Sequence, residues 1–233
     1  MNAERASQAV VAARLQQNVP LLVAVAAASA LVGFLQPHFI GTVHDPLRAD
    51  ILTRTLWLAG PIFFGTLLGI IAALAQRGTD RLHGLELCEQ SAPLYGRQLA
   101  RATALVPCII VTFATLVNWF AQYLSGFAAP PVFFLLALAA VITSTLVALS
   151  ATLREGGLRW LYVAISCAIS TISFGLAIYV DTLRPVPQGA AHYADITGIV
   201  CELAFCAIIG FIALRQYGEA LARYDPLPRE LNG

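Results

Sequence analysis

The chain has 233 residues, 58% of them hydrophobic and only 12% charged, with a mean hydropathy of +0.75. Soluble domains carry about 25% charged residues, so this composition excludes a fold that must clothe itself in polar surface. The net charge of +1 is made with Arg alone; the absence of Lys excludes a Walker A phosphate loop, and any ATP used here has to be bound by another chain.

Residues 1–18 read as a short interfacial helix, with Ala6, Ala9, Val10 and Ala13 on one face and Arg5, Gln8, Arg14 and Gln16 off it. Six apolar segments follow, each close to the ~20 residues that a bilayer span needs: Val19–Gln36, Leu56–Ala75, Ala102–Leu124, Val132–Leu153, Leu158–Val180 and Ile196–Leu214. The Ala26–Ala30 stretch of the first mimics a signal-peptidase site, but the apolar run continues to Phe34, so a retained span is expected. Pro20, Pro61, Pro130 and Pro131 fall at span starts, where a missing backbone donor costs little, and Pro107 falls inside span three as a candidate kink. Gly65 and Gly69 form a GxxxG face that lets another helix approach closely.

Sidedness follows from the arginines. Arg5, Arg14, Arg77, Arg81, Arg97, Arg101, Arg154, Arg159, Arg215, Arg223 and Arg229 lie on one side of a six-span thread, and Arg48, Arg54 and Arg184 on the other. Cytoplasmic loops carry the excess of basic residues, so both termini are expected in the cytoplasm. The fold class is therefore an all-α integral membrane protein with six transmembrane helices, a single transmembrane domain over 1–233 with a cytoplasmic tail at 215–233.

Between spans two and three, residues 76–101 are long beside ordinary connections of about 4–6 residues. Thr79 or Asp80 can cap a short helix over Arg81–Gln90, and Ser91 can cap a second helix with Pro93 in its first turn. A plain solvated loop is the competing reading. Glu202 in span six is an ionisable residue at membrane depth, and such residues line paths, carry protons or pair with Arg; the alternative is a carboxylate near the outer interface. Asn118 in span three reads as interhelical hydrogen-bond glue, and Asp181 ends span five. His38, His44 and His192 fall on the non-cytoplasmic side without ligand spacing. Cys88, Cys108, Cys167, Cys201 and Cys206 form no CxxC pair and read as small packing residues. No metal site, cofactor site, nucleophile elbow or zinc helix is found, and the dispersed arginines do not make a nucleic-acid surface.

The run Gly84-Leu85-Glu86, Ser91-Ala92-Pro93-Leu94 and Arg97 through Arg101 resembles the segment between spans two and three of ABC-2 type transporter permeases. The resemblance implies an ATPase-coupling helix that includes Asp80, Gly84, Leu85, Glu86, Ser91, Ala92, Pro93 and Arg97. It also implies a separate ABC ATPase subunit as partner, and pairing with a second permease as homodimer or heterodimer. The turn Leu153–Leu158, Asp181 at the end of span five and Leu214-Arg215 resemble the B subunit of the cytochrome c maturation haem exporter. That implies a bacterial inner-membrane exporter, possessing no catalytic activity of its own. Two other readings stay open: a proton-coupled secondary transporter using Glu202 and Asp181, and a non-transporting membrane assembly protein.

Overall fold

A computed structural model of the chain describes residues 3–41, 60–83, 96–126, 131–154, 157–182 and 190–222. Among these residues every regular element is a helix: α1 (Ala3–Gln17), α2 (Val19–Gly41), a π-helical turn (Gly60–Phe64) leading directly into α3 (Gly65–His83), α4 (Gly96–Leu124), α5 (Pro131–Thr152), α6 (Gly157–Thr182) and α7 (Ala190–Ala222).

Local chemistry sets the ends. α1 stops at Asn18, whose backbone N–H bonds the carbonyls of Arg14 (3.0 Å) and Leu15 (3.1 Å), and whose side-chain amide donates to Arg14 O at 2.8 Å. Pro20 follows in the first turn of α2; its missing N–H interrupts the ladder there, and a new helix starts with Leu22 N donating to Asn18 O at 2.8 Å. α4 ends where Gly126 takes φ 78°, the left-handed conformation that favours glycine at a helix C-terminus. Pro131 opens α5, where the absent donor would have gone unsatisfied in any case.

Five of these helices are long and apolar enough to cross a membrane, over Val19–Gln36, Gln98–Leu124, Pro131–Thr152, Gly157–Gly175 and Thr197–Leu221. They match the expected first, third, fourth, fifth and sixth spans. The apolar part of α3 is the shorter stretch Pro61–Gln76, and residues 56–59, with which the expected second span begins, lie outside the described residues.

α5 is the hub. Of its span 61% is buried, against 22% for α2, α6 and α7, and it packs against α3, α4, α6 and α7. α4 is the second centre, touching α1, α2, α3, α5 and α7, while α2 packs chiefly on α4. The GxxxG face of α3 finds its partner here. A Cβ on Gly65 would lie 2.7 Å from Val141 Cγ2, and one on Gly69 would overlap Thr145 Oγ1, so both glycines let α3 press onto α5. The main apolar cluster joins Val25, Leu68, Ala72, Val106, Ile110, Val111, Ala114 and Val141, and Val11 and Leu15 of α1 pack against it. α1 is thus held to the bundle by its own side chains.

One expectation changes at the end of α3. Thr79 and Asp80 do not cap a new helix; they lie inside α3, which runs unbroken from Gly65 to His83. Gly78, the residue in this stretch that most often ends a helix, is carried inside α3 instead, so the helix continues past its apolar part. α4 likewise runs without interruption through Pro107.

Candidate functional site

Two polar seams run through the middle of the bundle. The first lies between α5, α6 and α7. Ser166, Ser170 and Ser173 recur at i, i+4 and i+7, one face of a helix, and all three are fully buried. Ser144 of α5 donates to Ser166 O (3.2 Å) and Ser166 donates to Ser144 O (2.8 Å), a reciprocal clasp. The hydroxyl of Ser170 meets those of Ser144 at 3.1 Å and of Thr66, from α3, at 2.5 Å. These contacts tie three helices at one level, each worth about 0.6 kcal/mol by the average for such bonds in membranes.

Further along the same seam, α7 places Glu202 and Cys206 one turn apart. Thr143 of α5 donates to the carbonyl of Cys206 at 3.1 Å, and the Cys206 thiol sits beside the hydroxyls of Thr143 and Ser173 and the Glu202 carboxyl. Glu202 is 0% exposed, and neither of its oxygens has a hydrogen-bond partner. Ser173 is likewise buried, its hydroxyl beside the Cys206 thiol. Glu202 is therefore enclosed by the bundle, not a carboxylate touching water at an interface.

The second seam joins α2 to α4. Asn118 donates to Ser29 O at 3.0 Å, and Gln122 donates to Asn118 Oδ1 at 3.0 Å and to Gln36 Oε1. Gly33, between Ser29 and Gln36, brings α2 so close that a Cβ there would lie 2.6 Å from Asn118 O and 2.8 Å from Ala121 Cβ. Asn118 is therefore interhelical glue, as its residue type and depth suggest. It faces α2, so it and Glu202 belong to different seams.

At one end of the bundle the helix termini converge through side-chain bonds. Gln76 of α3 donates to Thr103 O at 3.1 Å, and the hydroxyls of Thr103 and Tyr217 meet at 3.1 Å, linking α4 to α7. Tyr162 of α6 donates to Gln216 at 2.7 Å, and the Arg154 guanidinium stacks 4.4 Å above the Tyr162 ring. Arg14, Arg77, Arg81, Arg97, Arg101, Arg154, Arg159 and Arg215 all lie on the helix ends gathered here.

Of the expected coupling residues, Asp80 lies on the last turn of α3 and Arg97 on the first turn of α4. Gly84, Leu85, Glu86, Ser91, Ala92 and Pro93 lie outside the described residues, as do His44 and Cys88. Asp181 is the penultimate residue of α6, and His192 lies in the first turn of α7. Cys206 is buried, Cys108 half-buried, Cys167 and Cys201 exposed, and all four are free thiols. No group of three potential metal ligands occurs among the described residues.

The serine row of α6, and the glutamines 36, 76 and 122, were not singled out by reading the chain. Their signal was available: hydroxyls at i, i+4 and i+7 inside an apolar run mark a face that prefers protein to lipid. No protein-family model, curated protein or solved structure matches the chain.

Proposed function

We propose that this chain is the six-span permease subunit of a bacterial ABC transporter of the ABC-2 type, an exporter in the inner membrane with both termini cytoplasmic. A separate ATPase subunit drives it, and two permease copies, identical or related, enclose the path. The haem-exporter branch is the closest fit within that type, on the residue pattern of 153–158 and 214–215.

The observation that carries this reading is the continuation of α3. Beyond its apolar stretch Pro61–Gln76 it stays helical through Arg77–His83, about 10 Å further at 1.5 Å per residue, at the arginine-bearing end. A rigid lever leaving the bundle on that side is what a docking ATPase needs to push. Force arriving through residues 84–95 enters α3 and α4 together, since Gln76 bonds α3 to Thr103 O. It passes to α5 through the glycine face at Gly65 and Gly69. The chain does no bond chemistry; rigid-body movement of packed helices alternates access to the path.

Co-purification in mild detergent is the first test, and an ATPase subunit should accompany the chain. Glu86→Arg should abolish substrate-stimulated ATP hydrolysis while leaving the chain folded and inserted. Unchanged stimulation in that variant, or no ATPase at all, removes the reading.

A further inference from the structure

We infer that Glu202 is a proton-binding site inside the bundle, occupied in the packing described above and emptied when the seam between α6 and α7 admits water. Burying an ionised carboxylate costs several kcal/mol or more unless a cation or several strong donors compensate it. Neither oxygen of Glu202 has a hydrogen-bond partner, and its side chain is wholly out of solvent. A neutral carboxylic acid is the species that this packing accommodates.

No counter-ion faces it among the described side chains. α5 carries no ionisable residue from Pro131 to Thr152. α6 carries Arg159 and Tyr162 near its arginine-bearing end and the exposed Cys167, and Tyr179 and Asp181 stand in its last turn, whose side chains lie outside those described. α4 offers Arg101 near that same end, Cys108 well below the level of Glu202, and Tyr123, exposed near its other end. On α7 itself, Cys206 lies one turn away and Cys201 is exposed, Tyr217 meets Thr103 near the arginine-bearing end, and Arg215 and Glu219 pair with each other in the exposed last turns; His192, Tyr193 and Asp195 stand in its first two turns, whose side chains lie outside those described. A thiol cannot neutralise a carboxylate. Hydroxyls can pass a proton, because each both donates and accepts, and the buried row Ser173, Ser170, Ser166 starts beside Cys206, one turn from Glu202, and runs toward the arginine-bearing end of α6.

The inference does not rest on the permease reading, since a proton site can serve an ATP-driven or a gradient-driven cycle. Purified protein in detergent would be treated with dicyclohexylcarbodiimide, a hydrophobic reagent that adds to protonated carboxyls, and labelled peptides mapped by mass spectrometry. Glu202 should carry the label near neutral pH, and labelling should fall about tenfold per pH unit once the group titrates. A water-soluble carbodiimide should label Glu219 and spare Glu202. Glu202→Gln, which mimics the neutral acid, should lose the label and keep the thermal unfolding temperature of the parent. Where Gln fails to fold, Glu202→Asp should still label with the same pH profile. Absence of label at every pH overturns the site, and so does label independent of pH, which marks a permanently neutral structural acid. Protection by sodium alone assigns the site to a metal cation and overturns the proton.

Discussion

The side-chain amide of Gln76 donates to the backbone carbonyl of Thr103 at 3.1 Å, and that carbonyl is the one Pro107, four residues on, cannot bond. A proline inside a helix leaves the carbonyl at i−4 without its donor, and in lipid no water can replace it. α3 supplies the missing donor across the interface. The relationship turns a defect in α4 into a link between α3 and α4, at the end of the bundle where the proposed lever begins.

A double-mutant cycle tests that link. Gln76→Leu should destabilise the parent by about 1–2 kcal/mol, the cost of leaving a buried acceptor bare. In a Pro107→Ala background the helix ladder can satisfy Thr103 O itself, and the same substitution should cost well under half as much. Denaturation in mixed micelles reads the difference; equal costs in the two backgrounds would show that the Gln76 bond is unrelated to the proline.

Gly69 makes a second, steric prediction. A methyl group there overlaps the Thr145 hydroxyl and approaches Thr145 Cβ at 3.3 Å, and that hydroxyl is held in place by its bond to Val141 O at 2.7 Å. Gly69→Ala should therefore cost about 1–3 kcal/mol, the usual range for overpacking. Thr145→Ala should recover part of that loss, since it removes the colliding oxygen and leaves the Cβ contact. A lack of any rescue in thermal unfolding would place the partner of the glycine face elsewhere.

Much of this architecture was legible in the chain because bilayer spans are written in runs of apolar residues. Five of the expected spans fall on apolar helices, whose starts match closely while the last runs on to Leu221, seven residues past the expected Leu214. The polar connections were less legible. A stop at Gly78 with a new cap at Thr79 or Asp80 was plausible from residue type, but a single glycine costs a helix only about 1 kcal/mol, and α3 runs through it to His83. Which residues share a seam was not legible either. Asn118 and Glu202 are alike in being polar within spans, yet helix rotation sends one toward α2 and the other between α5, α6 and α7. The Gly65–Gly69 face could be read as a site of close approach, but the partner each glycine meets, Val141 and Thr145 for these two and Asn118 and Ala121 for Gly33, belongs to the packed bundle and not to the local pattern.

The α2–α4 seam should depend on Gly33 more than on its hydrogen bonds. A side chain there meets the Asn118 carbonyl oxygen at 2.6 Å, and a backbone atom cannot turn aside as a rotamer can. Gly33→Leu should separate α2 from α4 and lower stability by about 2–3 kcal/mol. Asn118→Leu, which removes the bond to Ser29 O, should cost about 1 kcal/mol. If Asn118→Leu proves the more damaging of the two, hydrogen bonding and not close approach holds α2.

Sidedness can be read from thiols already present. In the six-span arrangement with both termini inside, Cys88 lies in the long cytoplasmic segment, while Cys167 and Cys201 are exposed on helix faces within spans. Maleimides react with the thiolate, which forms in water and not in hydrocarbon. A membrane-impermeant maleimide should therefore label right-side-out vesicles weakly and inside-out vesicles strongly, with the label on the peptide containing Cys88. Cys88→Ser should abolish that difference. Strong labelling of Cys88 from the outside would invert the thread and place the arginine-bearing end, with the continuation of α3, away from any cytoplasmic ATPase.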